Sequence, residues 1–99
     1  MKPIMQKHSH YRNPKLLALA NGAPCMNCGI EDGTVVAAHS NSGADGKGMA
    51  IKADDAKIAF LCYNCHSWYD EGVMDQIEFL NSLAETYLWL LKNGKLKVS

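Results

Sequence analysis

The sequence predicts an α+β domain of 99 residues, stabilised by a bound zinc ion. Two motifs, Cys25-x-x-Cys28 and Cys62-x-x-Cys65, supply four candidate ligands and use every cysteine of the chain. Two segments typical of strands lie between the motifs, and a long segment with helical periodicity follows them. We therefore predict one domain over 1–99, with an arm at 1–13, a zinc-supported core at 14–72 and a C-terminal helix and tail at 73–99.

The first elements are a loosely docked arm and a short helix. Asn13 is a favoured helix-capping residue, and Pro14 fits the first helical position. The sequence predicts a helix over 15–20, which Asn21 and Gly22 end.

Two strands are predicted between the cysteine motifs, over 34–38 and 57–61, where β-branched and apolar residues are concentrated. His39 directly follows the first strand. Residues 40–50 are rich in glycine and small polar residues and predict a long loop. Loops of this length inside a small domain are often functional.

Two helices are predicted after the second strand. The first begins at or just before Cys65 and ends at Glu71 and Gly72; the second runs from Asp75 to about Lys92. The second helix has apolar residues at helical spacing: Ile77, Leu80, Leu83, Ala84, Tyr87, Leu88 and Leu91, with Phe79, Trp89 and Leu90 beside them. So wide a stripe predicts either deep burial in the core or pairing with another subunit.

The formal net charge is zero, with basic residues near both ends and all acidic residues between Glu31 and Glu85. A strong non-specific nucleic-acid binder would usually be basic overall. The N-terminal residues show no apolar segment typical of a secretion signal, and no apolar run reaches membrane-spanning length. We therefore expect a cytoplasmic protein without membrane contact.

The four cysteines favour a structural zinc site. In a reducing compartment, paired Cys-x-x-Cys motifs are more often metal ligands than disulfides. Two such motifs can place four thiolates around one tetrahedral zinc ion, which would contribute much of the folding free energy. A redox-active dithiol pair is the alternative, but the surrounding sequence lacks the expected βαβ pattern.

Three other residues are candidates for chemistry: His39, His66 and Asp70. His66 and Asp70 are four residues apart on a predicted helix and therefore share a face, where they could bind a divalent cation. His66 could instead replace a cysteine on zinc or be an ordinary helix residue, and Asp70 could be a surface charge. His39 is either a general base or a half-buried structural histidine.

These motifs together resemble those of an HNH nuclease in its zinc-supported ββα-metal (His-Me finger) form. The shared features are the first cysteine motif, a strand ending in Ala38-His39, a long loop, a second strand, and Cys62-x-x-Cys65-His66 on a helix. With Asp55 and Asp70, the pattern is similar to small phage and prophage nucleases of the YbcO-like family. The resemblance covers roughly residues 24–72.

The resemblance implies a metal-dependent endonuclease that hydrolyses phosphodiester bonds in DNA. His39 would be the general base, and His66 with Asp70 would bind catalytic Mg²⁺, Mn²⁺ or another divalent ion. Many HNH enzymes have a metal ligand directly before the base, where this chain has Ala38. We therefore expect Ala38→Asp to strengthen metal binding if that position faces the metal.

Further assignments depend on the same resemblance. Asp54, Asp55 or Asn41 would replace the structural asparagine of the family. Lys47 and Lys52 would contact backbone phosphates, unless they are simply solvated loop residues. A phage-encoded protein would act in the host cytosol.

Two other functions remain open at the level of sequence. The chain could be a non-catalytic zinc module that binds nucleic acid or protein. It could also be a dimeric scaffold built on the C-terminal helix, although that function leaves His39 and His66 unexplained. In either case the C-terminal helix is the expected contact for a homodimer or a phage protein partner.

Overall fold

The computed structural model describes residues 12–41 and 54–96. Within them the chain is a small α+β domain with a two-stranded sheet, and this confirms the coarse fold class. The elements in chain order are α1 (Pro14–Ala18), β1 (Val36–His39), β2 (Ile58–Leu61), α2 (Tyr63–Asp70) and α3 (Gln76–Lys92). Most of the predicted arm and loop lies outside the described residues, and so do Lys47 and Lys52.

The two strands are antiparallel, with Val36 opposite Leu61 and His39 opposite Ile58. Every residue of β2 is buried, whereas β1 is only partly covered. The strand β2 is buried because α3 packs against it. This strand is therefore the centre of the domain, and its two ends carry the two groups of candidate functional residues.

The outer edge of β2 is satisfied by side-chain and loop contacts. The Phe60 N–H donates to the Thr86 hydroxyl over 2.9 Å, and the Phe60 carbonyl accepts from the Met26 N–H over 2.8 Å. The Thr86 hydroxyl in turn donates to the Ser82 carbonyl. Since unpaired backbone groups are costly to bury, these bonds allow a strand of a two-stranded sheet to lie wholly inside the domain.

The short helix α1 begins as predicted but ends two residues earlier. The Asn13 side chain accepts from the Leu16 N–H over 3.1 Å, and Pro14 occupies the first helical position. After Ala18 the backbone tightens, because Leu19 and Ala20 bond to the carbonyls three residues before them.

The strand β1 begins two residues later than predicted, because Thr34 is part of a turn. Its N–H and its hydroxyl both donate to the Asp32 carboxylate, over 3.0 and 2.6 Å. The Thr34 hydroxyl also accepts from the Tyr63 N–H over 2.9 Å. Thr34 thus caps α2, whose own capping residue, Cys62, makes no side-chain capping bond.

The capping box predicted for α3 is confirmed, since Asp75 and Glu78 each bond the other's backbone N–H. The side of α3 that packs in the core differs from the apolar stripe predicted from the sequence. Its buried residues are Phe79, Ser82, Thr86 and Leu90. Five members of the predicted stripe are exposed instead: Ile77, Leu80, Ala84, Leu88 and Leu91. Small Ser82 and Thr86 allow close packing on β2, and the ring of Phe79 stacks on Tyr69 with centroids 4.2 Å apart.

Candidate functional site

The first cysteine motif forms a tight turn whose backbone N–H groups point at sulfur. The Cys25 N–H bonds to the Ile30 carbonyl and the Gly29 N–H to the Cys25 carbonyl, both over 2.9 Å. Gly29 has a φ of 84°, which only glycine adopts without strain. The N–H groups of Asn27 and Cys28 approach the Cys25 Sγ to 3.4 and 3.5 Å.

The second motif joins the end of β2 to the start of α2. Cys62 is the capping residue of α2, and Cys65 is in its first turn. The first motif is attached to the second through the bond from the Met26 N–H to the Phe60 carbonyl, and the Asn27 amide nitrogen lies 3.4 Å from the Cys65 Sγ.

The four cysteine sulfurs lie within 4.8 Å of one another and form no disulfide. The Cys28 and Cys62 sulfurs are 3.8 Å apart. Four sulfurs at about 2.3 Å from a tetrahedral zinc ion would be separated by about 3.8 Å. Cys25, Cys62 and Cys65 are buried and Cys28 is exposed. The residue types and spacing fit a metal such as zinc, as the sequence predicts.

The thiols differ in how readily they ionise. Burial opposes ionisation of Cys25, but hydrogen bonds from Cys28, Cys62 and Asn27 outweigh it and lower its pKa to about 7. Burial raises the pKa of Cys65 to about 12, despite the Asn27 amide. The Ile30 backbone favours the Cys28 thiolate, yet burial and the neighbouring sulfurs raise its pKa. A metal must therefore displace protons from Cys28 and Cys65 at neutral pH.

His39 is at the other end of the sheet and is bound by Asp55. The His39 Nε2 and the Asp55 Oδ1 are 2.8 Å apart. The Asp55 side chain is 3% exposed and that of His39 16% exposed. Because ionised Asp55 can only accept, neutral His39 must carry its proton on Nε2, which leaves Nδ1 as its proton acceptor.

Asp55 also anchors the N-terminal segment. Its Oδ2 accepts from the Asn13 N–H over 2.6 Å, and its Oδ1 is 3.5 Å from the Arg12 guanidinium. Burial opposes ionisation of Asp55, but the bonds from His39 and Asn13 and the nearby positive charge outweigh it and lower its pKa. Asp55 is thus one of the three residues proposed from the sequence for a structural role near the candidate base, and the structure joins it to His39.

His66 and Asp70 form the predicted i, i+4 pair on α2. The His66 Nε2 lies 3.5 Å from the Asp70 Oδ2, and the side chains are 36% and 62% exposed. Within residues 12–41 and 54–96, the four cysteines are the group that places three or more potential metal ligands together. The pair therefore has no third His, Cys, Asp or Glu ligand in the described part of the chain.

The two histidines belong to elements that contact each other through Tyr69. The Tyr69 hydroxyl accepts from the Asn41 N–H over 2.9 Å, two residues after His39, and donates to the Gln76 side chain over 2.8 Å. Tyr69 is three residues after His66 and so lies on a neighbouring part of the same helix surface. These bonds connect the end of β1 to α2 and to the start of α3.

His39 is well separated from the cysteine cluster along the sheet. Four residue steps of β2 separate Ile58, which is opposite His39, from Cys62, and this corresponds to about 13 Å. Ala38 is 1% exposed and lies opposite Ala59. Ala38→Asp would therefore place a carboxylate in the core.

A cavity of about 140 Å³ is lined by Asn27, Trp68, Val73, Met74 and Glu78. None of the catalytic or divalent-metal candidates lines it.

In the described part of the chain no helix is both long enough and apolar enough to cross a membrane.

Comparisons with known proteins find no significant match among protein-family models, curated proteins or solved structures.

Sequence reasoning missed several supporting residues. Thr34, which caps α2, and Asn27, which donates to Cys65, were not singled out. Asn27 could have been suspected from its place inside the first cysteine motif. No local sequence pattern indicates the role of Arg12, because its partner Asp55 is 43 residues away in the sequence.

Proposed function

We propose that this protein is a divalent-metal-dependent HNH-type endonuclease that hydrolyses phosphodiester bonds in DNA. The observation that carries the proposal is the hydrogen bond between His39 and the buried Asp55, where β1 ends. A general base needs a fixed ring and a free proton-accepting nitrogen, and this bond supplies both. The arrangement of β1, β2 and α2 is compatible with the ββα-metal resemblance.

In the proposed reaction, the Nδ1 of His39 takes a proton from a water molecule, and the oxygen of that water attacks the scissile phosphate. The bond from phosphorus to the leaving 3′ oxygen breaks, and that oxygen takes up a proton from solvent. Asp55 stabilises the imidazolium that forms and holds its ring in place. His66 and Asp70 would hold the catalytic Mg²⁺, Mn²⁺ or other divalent ion, which supplies charge stabilisation at the phosphate and the leaving oxygen. The cysteine cluster would bind structural zinc.

The proposal includes DNA as the substrate, a phage or prophage origin and action in the host cytosol. These parts derive from the resemblance alone. Lys47 and Lys52, outside the described residues, are its candidates for phosphate contacts. A zero net charge predicts modest affinity for DNA.

A plasmid-cleavage assay with zinc-loaded protein tests the function. We expect nicking with Mg²⁺ or Mn²⁺ that His39→Ala abolishes, because no other residue is proposed as the base. His39→Asn is a second variant, since its amide can still bond Asp55 and preserve the fold. Asp32→Asn, in the exposed turn before the start of β1, at the opposite end of that strand from His39, is the control and should cleave like the wild type.

Two results would count against the enzyme. One is zinc-loaded wild-type protein that cleaves with none of the divalent metals tried, and the other is unchanged cleavage by folded His39→Asn. The alternative is a non-catalytic zinc module that binds nucleic acid or protein. It is favoured by the observation that the described residues bring three or more metal-ligating side chains together only at the cysteine cluster.

A further inference from the structure

The outward surface of α3 carries a continuous apolar stripe, which we name the α3 face. Its members are Ile77, Leu80, Ala84, Leu88 and Leu91, and all five are exposed. The side chain of Ile77 is 70% exposed, and the three leucines are 43–46% exposed. At 100° per residue these positions fall within about 80° of helix surface, on the side away from Phe79, Ser82, Thr86 and Leu90. A contiguous exposed apolar stripe of this kind marks an interaction surface.

The order of residues along the α3 face is symmetric about Ala84. The spacings are three, four, four and three residues. If a second α3 lies antiparallel with Ala84 opposite Ala84, Leu80 is opposite Leu88 and Ile77 is opposite Leu91. Each large side chain therefore meets a large one, and the two alanines allow close approach at the centre. A stripe of this symmetry is complementary to itself under a two-fold axis.

Charge along α3 favours the same antiparallel arrangement. The N-terminal end carries Asp75 and Glu78, whereas the C-terminal end carries Lys92 and Lys95. An antiparallel pair places the acidic end of each helix beside the basic end of the other. A parallel pair would instead bring like ends together, which is destabilising. Glu85, just past the centre, is the one flanking charge that would approach its own copy.

We propose that the α3 face binds the α3 face of a second copy of this chain, forming an antiparallel two-fold dimer. The proposal concerns assembly and does not depend on phosphodiester hydrolysis. Because the contact proposed is confined to one helix of each copy, we expect a dimer that dissociates on dilution. The outer side of α3 then becomes buried, which would explain why so many apolar residues occupy both sides of this helix.

Sedimentation velocity on the zinc-loaded full chain tests the dimer. We expect the average mass to rise from monomer towards dimer with increasing concentration. In Leu80→Gln/Leu88→Gln the dissociation constant should increase at least tenfold, while the circular dichroism spectrum and zinc content stay unchanged. Ile30→Gln is the matched control, because Ile30 is also 45% exposed but lies outside α3. Wild type that stays monomeric at millimolar concentration overturns the proposal and leaves the face to another occupant. An equal effect of Ile30→Gln overturns it as well.

The charge argument has its own test, again by sedimentation. Lys92→Glu/Lys95→Glu should weaken dimerisation, because the acidic end of the partner helix then meets acidic residues. Glu85→Gln should strengthen it by removing the like-charge contact near the axis. Lys15→Glu, on α1, is the control for an added negative charge and should have little effect. If the α3 charge variants dimerise like the wild type, the antiparallel orientation is wrong.

Discussion

The two ends of the sheet are stabilised in different ways. At the Cys62 end, two motifs that are each four residues long bring four sulfurs within 4.8 Å. At the His39 end, the buried Asp55 bonds to groups that lie 16, 42 and 43 residues away. One end thus depends on short motifs with a shared ligand chemistry, and the other on a carboxylate that can bind its partners only after the chain has folded.

This difference suggests a division between support and chemistry. Four sulfurs around one zinc ion would leave no position for a substrate, so such a site would contribute to the fold. In neutral His39 the bond to Asp55 leaves Nδ1 unprotonated, so its end of the sheet is where proton transfer is proposed. The predictions below separate these contributions.

Removal of the metal should have the largest effect. Structural zinc can contribute about 10–16 kcal/mol in small domains, comparable to or larger than the whole stability of a typical domain. We expect a strong chelator, or Cys65→Ser, to abolish the cooperative thermal transition seen by circular dichroism. Cys28→His is the matched control, since Cys28 is exposed and imidazole also binds zinc. If the protein keeps its full thermal unfolding transition after zinc removal, the cysteine end of the sheet does not stabilise the fold.

Loss of Asp55 should have the next largest effect on folding. Asp55→Ala leaves the Asn13 N–H and His39 without their acceptor, and we expect a loss of about 3 kcal/mol in the free energy of unfolding. Urea denaturation of the zinc-loaded protein measures it. Asp32→Ala, which removes bonds in an exposed turn, should cost much less than Asp55→Ala. Equal losses in the two variants would contradict a special role for Asp55.

Zinc affinity should rise with pH. Cys28 and Cys65 have raised pKa values, so both release protons when they bind metal near neutrality. Each displaced proton makes the affinity about tenfold greater per pH unit, so these two thiols alone contribute about 100-fold, which is roughly 2.7 kcal/mol. Below pH 7 the slope should steepen, because Cys25, with a pKa of about 7, is then protonated too. Competition with a chromophoric chelator between pH 6 and 8 measures the slope. A pH-independent affinity would be incompatible with thiolate ligands.

The exposed pair on α2 should matter least for stability. Asp70→Asn removes an exposed i, i+4 contact with His66, and we expect a change of less than about 0.5 kcal/mol in the free energy of unfolding. If the proposed divalent site exists, the same variant should raise the Mg²⁺ or Mn²⁺ concentration needed for cleavage. Asp75→Asn, on the α3 cap, is the control for a lost carboxylate. If the Mg²⁺ or Mn²⁺ concentration needed for cleavage is unchanged, Asp70 is not a ligand of the proposed divalent site.

The sequence by itself determined the features that depend on near neighbours. The two cysteine motifs, the Asn13 cap and the Asp75–Glu78 capping box are each defined within a few residues, and all three are present in the structure. The pairing of His66 with Asp70 follows equally from helical spacing. In each case the geometry of a single turn or a single element is sufficient to predict the contact.

Tertiary structure decided the contacts between distant segments. Asp55 could be named from the sequence only as one of three candidates, because its bonds to His39 and Arg12 depend on how β1, β2 and the N-terminal segment meet. The orientation of α3 was also undecided, since apolar residues occur on two sides of the helix. In the structure Thr86 bonds to the edge of β2 and Phe79, Ser82 and Leu90 are buried on the same side, which leaves the α3 face exposed. The backbone N–H and C=O groups of a buried strand edge need hydrogen-bond partners, and no local sequence pattern indicates which distant side chain will be the partner.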